Sequence, residues 1–285
     1  MRTGNLGEIW RYPVKSMLGE RLEHSSLGTL GVPGDRGWAV RDEVRGGIRG
    51  AKKIGGLMQC AARYREEPTT ERIPVPEITL PDGAVLRADA PDAAARLSTA
   101  LGTTVTLWPR RPADDLDHHR RGAPDHEDME AEMRAVFGRE ASEPLPDFSV
   151  FPPELFEFES PLGTYFDAFP LLVMTTSSLR RLQALTPSSR IDVRRFRPNL
   201  VIDTSDDDGF LESTWGGRRM QIGEAVLTFT IPCPRCVMIT LPTGDLPKDP
   251  AVLRTVVHEA DQNLGIYAVV ETPGTVRHGD AVTLL

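Results

Sequence analysis

Short runs of β-branched and aromatic residues, separated by Pro and Gly turn signals, occupy most of this 285-residue sequence. In the N-terminal part they are GEIWRYPV, RLEHSSL, RGWAVRDE, EITLPDGAVLRA and VTLWPR. In the C-terminal half they are NLVIDT, MQIGEAVLTFTI, CVMITL, IYAVVE and AVTLL. Runs of this length and spacing favour small twisted sheets or barrels over alternating strands and long helices. The sequence therefore predicts a mostly β (α+β) chain with two barrel-like parts and a few helices.

Four local patterns sharpen this expectation. Asp82 and Gly83 stand between apolar residues in LPDGAVL, which predicts a tight hairpin. A short helix is expected over 91–101, because Pro91 stands at its start and Gly102 just past its end. The stretch LLVMTTSSLRRLQAL indicates a buried strand that runs into a helix, with Thr and Ser side chains as helix caps. A further helix is expected at PAVLRTVVHEADQN.

Residues 111–150 differ in composition from the rest of the chain. They are rich in charge and proline and poor in β-branched residues, which is typical of a segment that adds little to a core. We expect an exposed linker or excursion that is partly helical across EDMEAEMRAVF. The alternative is a metal site at His118, His119 and His126, although their spacing matches no recognised site.

The net charge of −8 excludes a general nucleic-acid binder, since affinity for a phosphate backbone requires clustered Lys and Arg. The first residues contain no apolar signal-peptide core, and no later run approaches the roughly 18 apolar residues of a membrane span. These features predict a cytoplasmic protein that binds neither nucleic acid nor membrane. An anionic ligand would have to be met by a local basic cluster.

Two of the three cysteines, Cys233 and Cys236, form a C-P-R-C motif around Arg235. A structural zinc site needs four ligands, and outside the motif the chain offers only Cys60 and scattered histidines. A thioredoxin-type pair needs a helix after the first cysteine, whereas CVMITL is strand-like. Two readings stay open at this point. One cysteine beside a cation acts as a thiolate, or both are small buried side chains without chemistry.

Four stretches in order along the chain resemble one known family. They are IWRYPVKSMLGE at 9–20, GVPGDRGWAV at 31–40, RRFRPNLVID at 194–203, and PCPRCVMITLPTGD with the closing YAVVETPGTVRHGDAVTLL. Together they are similar to the molybdenum cofactor sulfurase C-terminal (MOSC) domain family with its N-terminal β-barrel domain, in particular to its amidoxime-reducing components and their bacterial relatives. The resemblance implies an N-terminal β-barrel domain over 1–110, the excursion over 111–150 and a MOSC barrel over 151–285.

The resemblance also implies the site. Cys236 is the expected molybdenum ligand and the expected catalytic residue, while Cys233 has no assigned task. The residues expected to bind the molybdenum cofactor are Lys15, Ser16, Arg36, Thr176, Ser178, Arg197, Asn199 and Arg235. Lys52 and Lys53 could assist or be solvated. Tyr165 and Asp167 could line the pocket, but a structural role is the stronger expectation.

The family reaction is a two-electron reduction of N-hydroxylated or other N-oxygenated small molecules. No iron–sulfur motif is present in the sequence, so we expect an external electron donor such as a ferredoxin, a flavodoxin or a reductase. Two other functions stay open. One is a sulfur carrier or transferase that uses a Cys236 persulfide. The other is a non-catalytic module that binds molybdopterin or another anion.

Overall fold

A computed structural model describes residues 2–204 and 209–285 of the chain. The strands are β1 Arg2–Arg11, β2 Glu20–Leu22, β3 His24–Leu27, β4 Trp38–Asp42, β5 Ala61–Arg63, β6 Glu77–Thr79, β7 Val85–Arg87, β8 Val105–Pro109, β9 Leu171–Thr175, β10 Leu200–Asp203, β11 Arg219–Ile222, β12 Ala225–Pro234, β13 Asn263–Thr272, β14 Gly274–Arg277 and β15 Ala281–Leu284. The helices are α1 Ala93–Leu101, α2 Leu116–His119, α3 Met129–Phe137, α4 Thr176–Leu185, α5 Val193–Phe196 and α6 Pro250–Glu259. Short 3-10 helices lie at Gly55–Gln59, Phe148–Val150, Pro153–Phe156, Leu211–Thr214 and Val237–Thr240.

The largest sheet closes into a barrel. Its strand order is β10-β9-β13-β12-β11-β15-β1, and β1 pairs again with β10 to complete the circle. Strands β9 and β10 are parallel, and the other barrel pairs are antiparallel. Closure leaves no free edge among these strands. The predicted mostly β fold is confirmed.

Side-chain alternation along the barrel strands fills its interior. Met220 and Ile222 on β11 are fully buried, whereas Arg219, the first residue of the same strand, is exposed. Strand β12 continues the pattern with Leu227 and Phe229 inside. Because successive residues of a strand point to opposite faces, this alternation directs one apolar row per strand into a common core.

The N-terminal part forms smaller sheets around a second core. Strands β5, β6 and β7 form one sheet, and β4 pairs with β8. The predicted hairpin joins β6 to β7, with Gly83 at φ +85° and its N–H donating to the Leu80 carbonyl at 2.9 Å. The predicted helix is α1, which ends at Gly102 in the left-handed conformation. Both local predictions are confirmed.

Strand β1 connects the two parts. It lies in the segment that we predict as the N-terminal domain, yet Asn5 to Ile9 pair with β10 and its end pairs with β2. The C-terminal barrel is therefore closed by the first strand of the chain. The domain boundaries near residues 110 and 150 stay a prediction.

The 111–150 segment is exposed over most of its length, and its helical part packs against the rest of the chain. Helix α3 lies within the predicted helical stretch, capped by the Asp128 side chain, which accepts from the Ala131 N–H at 2.8 Å. Lys53 forms ion pairs with Asp125 at 2.9 Å and with Glu132, which is 5% exposed. Most residues of the segment are exposed, as expected. A few charged side chains such as Glu132 are buried, because ion pairs with distant lysines and arginines allow it. Composition alone does not reveal such partners.

Two of the three histidines of this segment, His118 and His119, have structural partners, whereas His126 is exposed. His118 and His119 are buried, with their Nε2 atoms 2.7 Å from the Tyr165 hydroxyl and 3.0 Å from the Pro112 carbonyl. Burial lowers the pKa of His118 to about 4, so it is neutral near pH 7. Within residues 2–204 and 209–285, no group of three or more His, Cys, Asp or Glu side chains could hold a metal ion. None of the helices in the same ranges has the length and apolar character to cross a bilayer.

Candidate active site

Cys236 lies just past the end of β12, where the chain leaves the barrel. Pro234 ends that strand and pairs with Asn263, the first residue of β13. The residues that follow form the 3-10 helix Val237–Thr240, so the predicted strand at CVMITL is wrong. The physical reason is that Asn263, the partner of Pro234, is the first residue of β13, so β13 has no residue left to pair with the stretch after Pro234. Tertiary packing then overrides the β propensity of Val and Ile in this stretch.

The 3-10 turn directs neighbouring side chains into different cores. Met238 packs with the core of the N-terminal part, and Ile239 packs with the core between α4 and α6. Cys236 itself lies at the edge of the N-terminal core and is half-buried. It therefore stands where the barrel and the N-terminal part meet.

The other two cysteines are inaccessible. Cys60 is fully buried, and burial raises the pKa of its thiol to about 11. Cys233 is 3% exposed, and burial likewise raises its pKa. Reactivity and metal binding require a thiolate, which burial disfavours. The predicted strand after Cys236 was the argument against a C-x-x-C redox pair, and that argument no longer holds. The burial of Cys233 nevertheless leaves Cys236 as the cysteine suited to chemistry.

Arg235 fixes the backbone in front of Cys236. Its guanidinium donates to the Leu264 carbonyl at 2.7 Å and to the Phe196 carbonyl at 2.9 Å. It is 5% exposed. These bonds connect the end of β12 with the residue before Arg197, so Arg235 positions two predicted site residues through the backbone. Its own contact with a cofactor stays a prediction.

Lys15 and Ser16 follow β1 in a buried turn. The Lys15 ammonium donates to the Tyr165 carbonyl at 2.9 Å and pairs with the Asp167 carboxylate at 3.0 Å. Burial lowers the pKa of Lys15, and Asp167 offsets part of this effect. Ser16 has φ +68°, and its hydroxyl accepts from the Ala51 N–H at 2.9 Å. The turn is thus held to the loop that carries Lys52.

Asp167 is a partly exposed carboxylate that lies near three cations. Its side chain is 42% exposed, whereas that of its partner Lys15 is 4% exposed. Its enclosure disfavours ionisation, but the charges of Lys15, Lys52 and Arg36 hold the pKa of this carboxyl well below its ordinary value. We call the space bounded by these four residues the Asp167 cleft. Water reaches a carboxylate there that is otherwise surrounded by cations.

Tyr12 lies between two arginines beside this cleft. The Arg197 guanidinium lies 4.2 Å from the centre of the Tyr12 ring, and that of Arg36 lies 5.0 Å from it. Both arginines have positive φ, +59° and +47°, which costs a non-glycine residue roughly 1 to 2 kcal/mol. The Tyr12 hydroxyl donates to the Pro198 carbonyl at 3.0 Å. The Tyr12 ring therefore holds the two guanidinium groups close together. Both arginines keep an unfavourable backbone conformation, which is common at functional sites.

Replacing Tyr12 with leucine is expected to weaken anion binding, because the two guanidinium groups lose the ring that attracts both of them. We expect the affinity for inorganic pyrophosphate, measured by titration calorimetry, to fall about tenfold, or about 1.4 kcal/mol. Tyr12→Phe is the matched control, since it keeps the ring and loses only the bond to Pro198. Equal affinity of the leucine variant and the natural protein would contradict a role of the ring.

The charges at the cleft favour an anionic ligand. Four cations act on Asp167, namely Lys15, Arg36, Lys52 and Arg197. The nearby carboxylates are Asp35, Asp167 and Glu159. Asp35 pairs with Arg36, and Glu159 is already paired with Arg121. One guanidinium nitrogen of Arg197, Nη2, is buried without a hydrogen-bond partner among the described residues. Burial and the Arg36 charge lower the pKa of Arg197 to about 10. A phosphate-bearing ligand would satisfy this donor and balance the excess positive charge.

Three of the predicted cofactor residues have protein partners instead. The Asn199 amide accepts from the Leu172 N–H at 3.1 Å and donates to the Trp10 carbonyl at 3.3 Å. Ser178 is fully buried and donates to Glu212 at 2.5 Å. The Thr176 hydroxyl donates to the Asp203 carboxylate at 3.1 Å. These side chains stabilise the barrel and the start of α4, and their predicted contact with a cofactor stays a prediction.

The structure thus gathers Lys15, Ser16, Arg36 and Arg197 at one cleft and adds two residues, Tyr12 and Lys52, that were not predicted as cofactor-binding. Tyr12 stands directly before the P-V-K-S turn, so its position was a usable signal. Lys52 could not be told from a solvated lysine by its sequence. The structural expectation for Tyr165 is confirmed by its bond to the Pro109 carbonyl at 2.9 Å.

Comparison with known proteins assigns the two parts of the chain. The MOSC domain family matches residues 163–283, and the MOSC N-terminal beta barrel domain matches residues 3–109. The YUAD protein from Bacillus subtilis, a solved structure, covers 99% of this chain and 95% of its own with 12% identity and a TM-score of 0.45.

Two curated relatives align with nearly the whole chain at low identity. Mitochondrial amidoxime-reducing component 1 from Homo sapiens is 26% identical over 100% of this chain and 84% of its own length. Mitochondrial amidoxime reducing component 2 from Bos taurus is 26% identical over 99% of this chain and 83% of its own. The two domain matches together span most of the sequence in the expected order. The chain therefore belongs to the MOSC domain family and carries the N-terminal β-barrel domain of that family before its MOSC domain.

Proposed function

We propose that this protein binds the molybdenum cofactor at the Asp167 cleft and reduces N-hydroxylated or other N-oxygenated compounds, with Cys236 as the protein ligand of the metal. The observation that carries this proposal is the position of Cys236, the half-buried cysteine, within reach of the Lys52 charge at the cation-rich cleft. The names of the amidoxime-reducing relatives support the reaction class.

The residues present fit such a cofactor. A thiolate such as that of Cys236 is a suitable ligand for a metal that already carries sulfur ligands. Arg36 and Arg197 offer planar donor groups for a phosphate, and the unpartnered Nη2 of Arg197 lacks only an acceptor. Lys15 and Ser16 belong to the same site, and Lys15 is already oriented by Asp167. We infer that these residues hold the cofactor.

When bound, the molybdenum cofactor would supply two-electron redox chemistry. In the overall reaction, a hydroxylamine-type R2N–OH takes up two electrons and two protons and yields R2NH and water. The electrons come from a separate electron-transfer protein such as a ferredoxin, a flavodoxin or a reductase. The protein itself orients the substrate beside Cys236 and keeps Lys52 charged as a hydrogen-bond donor. Burial opposes that charge, but attraction to Cys236, Asp167 and Glu159 raises the pKa of Lys52.

The test is loading of the natural protein. We expect expression with molybdate to yield about one molybdenum and one pterin per chain, and the purified protein to reduce an amidoxime with reduced methyl viologen as donor. Metal content is measured by mass spectrometry of the digested protein, and pterin by the fluorescence of its oxidised form. Absence of both, under conditions in which an amidoxime-reducing relative loads fully, would overturn the proposal.

A sulfur carrier is the second candidate, because the half-buried thiol of Cys236 lies near two cations, Lys52 and Arg139. A persulfide at Cys236 would then be the reactive species. Incubation with a cysteine desulfurase and free cysteine, followed by mass spectrometry, distinguishes the two candidates. An added sulfur atom on Cys236, in a protein that does not load molybdenum, would favour the carrier.

A further inference from the structure

The turn that follows helix α3 lies directly against Cys236. Gly138, with φ +61°, ends α3, and a Cβ on it would lie 3.3 Å from the Val237 Cα. The next residue, Arg139, donates to the Arg235 carbonyl at 3.0 Å. Residues 138 and 139 therefore contact the chain on both sides of Cys236. The charges of Arg139 and Cys236 also interact, as their proximity requires.

This turn is firmly held. Besides Arg235, the Arg139 guanidinium donates to the Gln262 side chain at 3.0 Å, and it is 6% exposed. Arg254 on helix α6 donates to the Gly138 carbonyl and to Glu143. The segment beside Cys236 is thus attached to the barrel domain by buried hydrogen bonds, and its position is a fixed feature of the site.

Phe137 brings an aromatic ring to the same place. The Lys52 ammonium lies 5.9 Å from the centre of the Phe137 ring, and its charge also acts on Cys236. Phe137, Lys52 and Cys236 are all half-buried, so each retains a surface for a ligand. Phe148 packs behind the ring, with the two ring centres 5.3 Å apart. The ring is therefore supported from within its own segment.

We propose that Phe137 is a specificity-determining wall of the reaction pocket, which selects N-hydroxylated substrates that carry a planar aromatic group next to the N–O group. The substrate class rests on the proposed function, whereas the position of the wall beside Cys236 does not. An aromatic substituent stacks on the Phe137 ring while the N–O group lies beside Cys236 and Lys52. A small aliphatic substrate gains nothing from the ring.

The first test uses the full-length chain expressed in cells that cannot make the cofactor, so that the Cys236 thiol is free. Its alkylation by N-phenylmaleimide and by N-ethylmaleimide is followed by mass spectrometry, each rate divided by that of free cysteine. We expect the aromatic reagent to be favoured roughly three- to tenfold. Cys60 and Cys233 should stay unmodified because they are buried.

Phe137→Ala should remove this preference, and Phe137→Tyr should retain it. Phe156→Ala is the matched control, since that aromatic side chain is 65% exposed and lies in the 3-10 helix Pro153–Phe156 rather than in α3. Circular dichroism and the thermal midpoint verify that each variant folds. The same preference for N-phenylmaleimide in Phe137→Ala as in the natural protein would overturn the proposal that Phe137 forms a wall of the pocket.

The second test uses the loaded enzyme with an amidoxime on a phenyl ring and one on a methyl group. Phe137→Ala should raise KM for the phenyl substrate roughly three- to tenfold, with molybdenum content and the methyl substrate unchanged. A changed maleimide preference in a protein without reductase activity would support the wall and refute the proposed function. Unchanged maleimide and KM preferences in an active reductase would refute the wall alone.

Discussion

Replacing Cys236 with alanine is expected to remove molybdenum from the protein while leaving the fold intact. The thiolate is the expected protein bond to the metal, and loss of even an outer-shell partner lowers metal affinity roughly 10- to 100-fold. We therefore expect the molybdenum content per chain to fall at least tenfold and amidoxime reduction to be lost. Cys236 is half-buried at the edge of a core, so the thermal midpoint should change little.

Cys233→Ala is the matched control, because it removes the other cysteine of the same motif. Cys233 is 3% exposed and lies within strand β12, so this variant should retain molybdenum and lose only a little stability. Equal metal content in both variants would refute Cys236 as the ligand. Loss of metal in both, with both folded, would assign a joint role to the pair and contradict the single-ligand interpretation.

Truncation of Trp215 to alanine should give the largest loss of stability among single substitutions in the barrel. Trp215 is 1% exposed and belongs to the barrel core, and its ring centre lies 5.2 Å from that of Phe229. Its removal leaves a large cavity in a closed barrel that cannot collapse around it. We expect the free energy of unfolding in urea to fall by about 3 to 5 kcal/mol.

Phe156→Ala tests whether this loss reflects burial. It also truncates an aromatic side chain to alanine, but Phe156 is 65% exposed. Surface substitutions of this kind change the free energy of unfolding by about 0.5 kcal/mol or less. A loss below 1 kcal/mol in Trp215→Ala would show that the barrel core adapts to the cavity, which its closed strand pairing argues against.

Most strands were predictable because their signals are local. Alternating residues such as Met220 and Ile222 mark a strand with one buried face, and Asp82-Gly83 marks a hairpin, whatever the rest of the chain does. The stretch after Cys236 was mispredicted for the converse reason. Its Val and Ile residues favour a strand, but pairing with the adjacent strand β13 ends at Pro234. Met238 and Ile239 then pack into two different cores.

The site was predictable only in part. Lys15, Arg36 and Cys236 stand in motifs, so resemblance identified them. Lys52 and the turn around Arg139 were not selected, because their importance depends on residues far away in the sequence. Tyr12 stands in the first motif, but its contact with Arg36 and Arg197 is visible only in the fold. The segment that carries Arg139 shows only charge and proline, and nothing in that composition indicates that it packs beside Cys236.

The sequence by itself determined the β-rich class, the turns and helix ends, and the accessible chemistry of a single C-P-R-C motif, since each depends on neighbours a few positions apart. The tertiary structure decided what surrounds that motif. Lys15 contacts the carbonyl of Tyr165, 150 positions away, and Arg139 contacts that of Arg235, 96 positions away. Charged side chains are buried only where distant partners or partial contact with solvent offset the loss of hydration. Those partners come together only once the barrel has closed on its first strand.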